Sequence, residues 1–272
     1  MAVARRRLDA ELVRRGLAGS REEAREAIEA GAVLVRGGRA TKASSIVGED
    51  DALEVRAPVR RFASRGGQKL EAALEAFAIG VAGRPALDAG ASTGGFTDVL
   101  LRKGAAHVVA VDVGYGQLAW ALRADPRVTV LDRTNARSLS PEILPYRPQV
   151  IVADLSFISL TLVIPALVRV SDASADHLYL VKPQFEAGRE RVRSGGVVRD
   201  PSVWSDVLRS VVIAAAEAGL APRGLMPSPV RGPAGNVEFL LWTSLPARSE
   251  PADADRLIAD AVRVAVSSVA GS

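Results

Sequence analysis

The sequence predicts an α/β protein: a doubly wound, mostly parallel sheet preceded by a small α/β module. Three observations carry that expectation. Short apolar runs at 86–88, 107–112, 128–131, 150–154 and 179–181 alternate with helical stretches, the pattern of parallel strands joined by crossover helices. The first run ends in a glycine-rich loop that opens a helix. The 272 residues, 48% apolar and 24% charged, supply core for one large or two modest domains.

The first 58 residues form the module. Leu8, Leu12 and Val13 sit at helical spacing on a short helix ending near Gly16. Ser20 to Glu23 make a capping box for a second helix, which should bury Ala24, Ala27 and Ile28 and stop at Gly31. Alternation at 33–35 leads into a turn at 36–38, and a further strand covers 52–55. Both helices carry arginines opposite their apolar stripes. Residues 59–63 are a basic linker after Pro58, and 64–272 form the larger domain. There a long helix opens at Gly95, a late strand spans 238–242, and an amphipathic helix closes the chain at 253–269. The stretch 183–198 has no periodicity and three glycines, and is expected to be a long mobile loop over the site.

Composition excludes whole classes of chemistry. There is no cysteine, hence no disulfide, thiolate-zinc site or sulfur nucleophile. The two histidines, His107 and His177, each lie beside a strand and are expected to be structural, and no metal is expected. No apolar stretch approaches the ~20 residues that cross a bilayer. The basic start runs straight into Leu8–Glu11 without an apolar secretion segment, so a cytoplasmic protein is expected. Net charge is only +4, at pI 9.8, but its distribution is uneven. Arginines crowd positions 5–25, Arg60, Arg61, Arg65 and Lys69 form a second cluster, and Arg189, Arg191, Arg193 and Arg199 a third. Three such clusters favour phosphate contacts.

The loop from Asp88 to Phe96 lets a ligand approach bare backbone and helix-end N–H groups. Its spacing is G-x-x-x-G-G with an acid two residues ahead, unlike the G-x-G-x-x-G of dinucleotide folds, and no lysine follows to make a P-loop. Asp88 suits a cation such as the ammonium of a methionine moiety. Asp112, 24 residues downstream at the next strand's end, is placed for a ribose diol. S-adenosylmethionine has both features. Gly90, Ser92, Gly94 and Phe96 are expected on its methionine side, Asp112 with Val113 at the ribose, and Asp132 with Asn135 near the adenine, although Asn135 could equally cap a turn.

Asp154 and Lys182 stand at the ends of adjacent strands and should face one crevice. The chain has just four lysines (42, 69, 103 and 182) in a sequence that otherwise uses arginine. Retaining lysine at a strand end suggests that a removable proton is needed, which arginine does not offer. Lys69 lies in an Arg-Gly-Gly-Gln-Lys run, and Glu238 occupies a place in an apolar strand where Val or Ile is expected.

Two resemblances follow from these residues. The run RLDAELVRRGLAGSREEAREAIEAGAVLVRG resembles the S-four RNA-binding domain. Lys69, Asp154, Lys182 and Glu238 resemble the K-D-K-E set of FtsJ-like ribose 2′-O-methyltransferases. With SRGGQKL, LDAGASTGGFTDVLL, DVGYGQLAW, DRTNAR, VADLSFISL, LVKPQFE and GNVEFLLW, nearly the whole chain is similar to the TlyA family. That family implies a Rossmann-like, seven-stranded methyltransferase sheet. It also implies S-adenosylmethionine as cofactor and methylation of cytidine ribose in 16S and/or 23S ribosomal RNA within ribosomal subunits, by a monomer. Members usually carry a tryptophan before the Ser-Arg-Gly; here Phe62 stands near that place and Ala63 replaces a valine.

On this reading Lys182 is the general base, Asp154 and Glu238 orient the two amines and balance charge, and Lys69 is the neighbouring cation. Asp154 also reaches the methionine end of the cofactor. RNA contacts are expected from Arg5, Arg6, Arg7, Arg14, Arg15 and Arg21 in the module, and from Arg65, Arg133, Arg137 and Arg189 beyond it. The family's haemolysin name suggests a pore-forming alternative, which the absence of a span or a lysine-rich amphipathic helix disfavours. A non-catalytic ribosome-assembly factor would not need the intact tetrad. Methylation of a ring carbon lacks its cysteine, and methylation of a base nitrogen lacks the usual Pro-Pro after Asp154.

Overall fold

The computed structural model describes residues 5–18, 21–56, 62–192, 195–245 and 252–270. The chain divides into two compact units, Met1–Arg61 and Phe62–Ser272. The expected cap at Ser20 and residues 59–61 of the expected linker lie outside the described residues.

In the first unit β1 (Arg5–Arg7) runs into α1 (Leu8–Arg14), followed by α2 (Arg21–Glu29), β2 (Val33–Val35), β3 (Gly38–Arg39), β4 (Ile46–Gly48) and β5 (Leu53–Val55). Strand β2 is the centre of a three-stranded sheet, and β1 pairs antiparallel with β4. Leu8, Leu12, Ala24, Ile28, Val33 and Val47 close its core, as the 3.6-residue spacing requires. The sequence reading took Arg5–Arg7 for charge alone. Three consecutive arginines show no alternation, so pairing, not side-chain pattern, makes this a strand.

The second unit begins with α3 (Gly66–Ala76), then β6 (Pro85–Ala89), α4 (Gly95–Arg102), β7 (His107–Val111), α5 (Trp120–Arg123) and β8 (Val128–Leu131). It continues through β9 (Val150–Ala153), α6 (Ile164–Val170), β10 (Asp176–Val181), α7 (Pro183–Glu186), α8 (Pro201–Glu217), β11 (Ala221–Pro227), β12 (Phe239–Ser244) and α9 (Ala254–Ala270). The seven strands are ordered β11-β12-β10-β9-β6-β7-β8. From β10 to β8 they are parallel, and β12 joins antiparallel to both β10 and β11. Alternate residues serve opposite faces. Leu87, Val109, Ile151 and Tyr179 pack with Leu167, Trp204, Leu208 and Ile258 on one side. Ala86, Val108, Val150 and Leu178 pack with Leu70, Leu74, Val99 and Leu100 on the other.

Two expectations are corrected. Strand β11 was not anticipated: it carries Pro222 and Pro227 and its register shifts between Pro222 and Gly224, features an edge strand tolerates. Among its described residues, the stretch 183–198 is not a structureless loop. It holds α7 and a 3-10 turn at Arg189–Arg191. Its far end is pinned, because Val198 N–H donates to Asn236 Oδ1 at 2.9 Å and Trp204 Nε1–H donates to Val198 O at 3.1 Å. Among the described residues no helix is long and apolar enough to cross a membrane.

Candidate active site

Parallel sheets bind ligands at the carboxyl ends of their strands. Asp154 directly follows β9 and Lys182 directly follows β10. Strand β12 runs the other way, so its first residues reach the same edge: Phe239 pairs with Val181, and Glu238 precedes it. Helix α3 brings Lys69 there, with Gly66 so close that a Cβ on it would sit 3.7 Å from Asp154 Oδ2.

The four side chains form two ion pairs of different character. Lys69 Nζ lies 2.5 Å from Glu238 Oε2, both residues buried. Lys182 Nζ lies 2.6 Å from Asp154 Oδ1 in a more open position, and donates to Ser156 Oγ at 2.9 Å. Lys69 therefore has its charge balanced by Glu238, and Lys182 by Asp154.

Asp154 and Ser156 also line a cavity of about 530 Å³, together with Gly90, Ser92, Asp112, Val113, Asn135, Gln117 and Thr134 among others. The Asp112 carboxylate is set by two backbone donors, Ser92 N–H at 2.8 Å and Gly114 N–H at 2.7 Å. Gly90 has φ 87°, and a Cβ there would lie 2.4 Å from Asp154 O, so the loop passes the end of β9 only as bare backbone. Asn135 does both things expected of it: it lines the cavity, and its Oδ1 accepts from Arg137 N–H at 3.0 Å as a turn cap.

Four other expected cofactor residues are not on the cavity wall. Asp88 is fully buried behind it, accepting from Thr97 Oγ1 at 2.7 Å. Burial, and then the nearby Asp154 and Asp112 charges, push its carboxyl up to about 7, against the Thr97 hydrogen bond. Phe96 is buried in the apolar layer beside Phe62 and Val99. Gly94 turns toward Leu118 and Leu122, which its Cβ would meet at 2.8 and 2.3 Å. Asp132 pairs with Arg123 at 2.6 Å, and that guanidinium holds its carboxyl below the usual range. A glycine-rich loop alternates between core and cavity, and spacing alone does not say which residue faces which.

The expected RNA-binding arginines separate into groups. Arg7 and Arg21 converge on Asp9, and Arg14 on Glu11. Arg5 is an exposed strand residue and Arg6 stands 3.9 Å from Glu11. Arg15 bonds Glu11 at 2.7 Å and the carbonyls of Asp51 and Glu49 at 2.7 and 2.8 Å, which makes it a brace between α1 and the loop at 49–51. In the second unit Arg65 immediately precedes α3, Arg137 is exposed, and Arg133 lies 4.5 Å over the Tyr115 ring. The Arg189 side chain lies outside the described residues.

His107 Nε2 is 2.8 Å from Thr129 Oγ1 and His177 Nδ1 2.9 Å from Tyr179 Oη. No group of side chains among the described residues is arranged to hold a metal ion. Sequence reasoning missed Ser156, Gln117 and Thr134, which lie in irregular backbone where polar residues are unremarked. It also missed the buried acids Asp9 and Glu11, which look on sequence like a solvated helix face.

Residues 62–245 match the FtsJ-like methyltransferase family and residues 6–53 the S4 domain. The chain is 54% identical to the 16S/23S rRNA (cytidine-2′-O)-methyltransferase TlyA of Mycobacterium tuberculosis, over 97% of this chain and 98% of that one. It is 38% identical to Hemolysin A of Brachyspira hyodysenteriae, over 86% and 98%. A solved structure named "Putative hemolysin from Streptococcus thermophilus" superposes with TM-score 0.74 at 38% identity, covering 96% of this chain and 97% of that one. A sheet edge carrying this tetrad, in a chain so similar to these proteins along nearly its whole length, belongs to the TlyA family of FtsJ-like methyltransferases with an S4 domain.

Proposed function

We propose that this enzyme methylates the ribose 2′-hydroxyl of cytidine in ribosomal RNA, with S-adenosylmethionine as donor. The observation that carries the reading is the Lys182–Asp154 pair at 2.6 Å, whose carboxylate partner Asp154 lines the 530 Å³ cavity. The name of the Mycobacterium tuberculosis relative supplies the cytidine and the ribosomal RNA.

The residues present fit the cofactor. Asp112, held by two backbone donors, suits a ribose diol. Val111, Ala136, Leu155 and Val163 give the cavity an apolar wall for a purine, and Asp154 offers a carboxylate to a cation. When bound, the cofactor supplies an electrophilic methyl group on a positively charged sulfur.

The chain's own residues do the rest. Proximity and alignment of the hydroxyl are worth several kcal/mol. The hydrogen bond to Ser156 and the ion pair with Asp154 hold the Lys182 Nζ in place. Once its ammonium has given a proton to water, the neutral Lys182 amine would take the proton of the 2′-hydroxyl as general base while the oxygen accepts the methyl group. The buried Lys69–Glu238 pair keeps the neighbouring wall neutral and rigid. The S4 unit holds the RNA through phosphates, which position without specifying sequence.

The test is methyl transfer by the full chain to purified ribosomal subunits, with nucleosides resolved by mass spectrometry. The expected product is 2′-O-methylcytidine. Label on a base, or none in RNA, sinks the reading.

A further inference from the structure

The S4 unit contains two carboxylates where an RNA-binding surface should want none. Asp9 is 0% exposed and Glu11 1%, at the start of α1. Around Asp9 stand Arg7 from the end of β1, at 3.1 Å, and Arg21 and Arg25 from α2, at 2.9 and 3.4 Å. Arg21 and Arg25 are four apart and share one helix face. Around Glu11 stand Arg14 at 2.7 Å and Arg6 at 3.9 Å. The acids are buried, but the arginine side chains are 42–53% exposed. Burial alone would raise the Asp9 carboxyl; the Arg7 and Arg21 hydrogen bonds hold it well below the usual range. Arg14 and Arg15 likewise hold Glu11 at about 2. Both acids are therefore fully charged at neutral pH.

We propose that Asp9 and Glu11 are positioning residues for RNA: they order Arg6, Arg7, Arg14, Arg21 and Arg25 into a preformed array that receives successive phosphates of an RNA backbone. The argument is from donor number and entropy. A guanidinium carries five N–H donors, and a carboxylate engages two at most in the fork geometry, so the remainder serve a second anion. A free arginine gives up rotamer freedom when it binds; one already held by a buried acid has given it up on folding. Asp9 and Glu11, even with the exposed Glu49 that lies 3.3 Å from Arg14, are three carboxylates against the five arginines of the array, so the surface stays cationic. The partner that fits is a polyanion with regularly repeated charges. That it is RNA rests on the function proposed above.

The inference predicts a sign that plain Coulomb attraction does not. Asp9→Asn removes a negative charge from a cationic surface with almost no change of shape, yet it should weaken RNA binding. Binding of the full chain to a fluorescein-labelled RNA hairpin is followed by anisotropy over a salt series. Asp9→Asn is expected to lose about tenfold in affinity and to show a shallower salt dependence, because fewer phosphates are engaged. Glu11→Gln should act in the same direction. In an Arg21→Ala, Arg25→Ala background Asp9→Asn should cost less, since two of the three side chains it orders are gone and only Arg7 remains.

Equal or tighter binding by Asp9→Asn overturns the inference. So does an equal loss in both backgrounds, which assigns Asp9 to folding alone. If the wild-type chain binds no RNA, the function proposed above falls with it, whereas methyl transfer that persists while Asp9→Asn binds normally removes only this inference.

Discussion

Lys69 and Glu238, 169 residues apart in sequence, meet at 2.5 Å as a buried ion pair, while Lys182 pairs with Asp154, a residue of the cavity wall. One tetrad thus divides into a sealed half and an open half, and the halves should fail differently on mutation.

Glu238→Ala leaves the Lys69 ammonium buried without its carboxylate. Removing one partner of such a pair costs about 3–5 kcal/mol. Chemical denaturation of the full chain should show a loss of that order in the second unit. A loss under about 1 kcal/mol would mean that water reaches Lys69.

Lys182→Ala should abolish methyl transfer and leave cofactor and RNA binding nearly intact, because the side chain lies at the open end of the site. Single-turnover assays beside binding titrations separate the two effects. Equal losses in binding and turnover would reduce Lys182 to a binding residue.

Asp112→Ala should raise the cofactor Kd about tenfold or more, the scale of one charged hydrogen bond. It also releases the Ser92 and Gly114 amides that the carboxylate now caps. Isothermal titration calorimetry measures the change, and an unaltered Kd would place the cofactor elsewhere.

Gly90→Ala puts a Cβ 2.4 Å from Asp154 O at a residue with φ 87°. Strain of this kind costs about 1–3 kcal/mol and should displace Asp154 from Lys182. A lower melting temperature together with slower methyl transfer is expected; wild-type values for both would refute the tight approach.

Burial pushes His177 down to about 3, so the folded state keeps its ring neutral where the unfolded chain takes up a proton. Its contribution to stability is complete above about 6.5 and is lost as pH falls from there toward 3. Denaturation midpoints measured across that window should drop on the acid side for the wild type and drop less for His177→Asn. Parallel curves would assign acid sensitivity to other groups.

The strands at 86–89, 107–111, 128–131 and 150–153 were legible because a parallel sheet covered on both faces demands continuous apolar runs. Strands β1, β4 and β11 were not: each is short or at an edge, and pairing with a neighbour, not composition, defines it. In the site, Lys182 stood out because arginine is the rule elsewhere in the chain. Ser156 did not, since its meaning depends on where the Lys182 amine ends. Asp88, Gly94, Phe96 and Asp132, all expected at the cofactor, do not line the cavity: Asp88 and Phe96 are buried, Gly94 turns toward Leu118 and Leu122, and Asp132 pairs with Arg123, none of which spacing reveals.

The antiparallel entry of β12 makes the order of synthesis matter. A nascent chain stopped before residue 239 already holds Asp154 and Lys182 but lacks the strand that covers the free edge of β10. If it also ends before Glu238, an ammonium at Lys69 is left to be hidden with nothing to offset it. Such an intermediate carries an open, sticky margin and an unbalanced charge. Maturation of the catalytic unit should therefore come late and all at once, with the penultimate hairpin as its closing event.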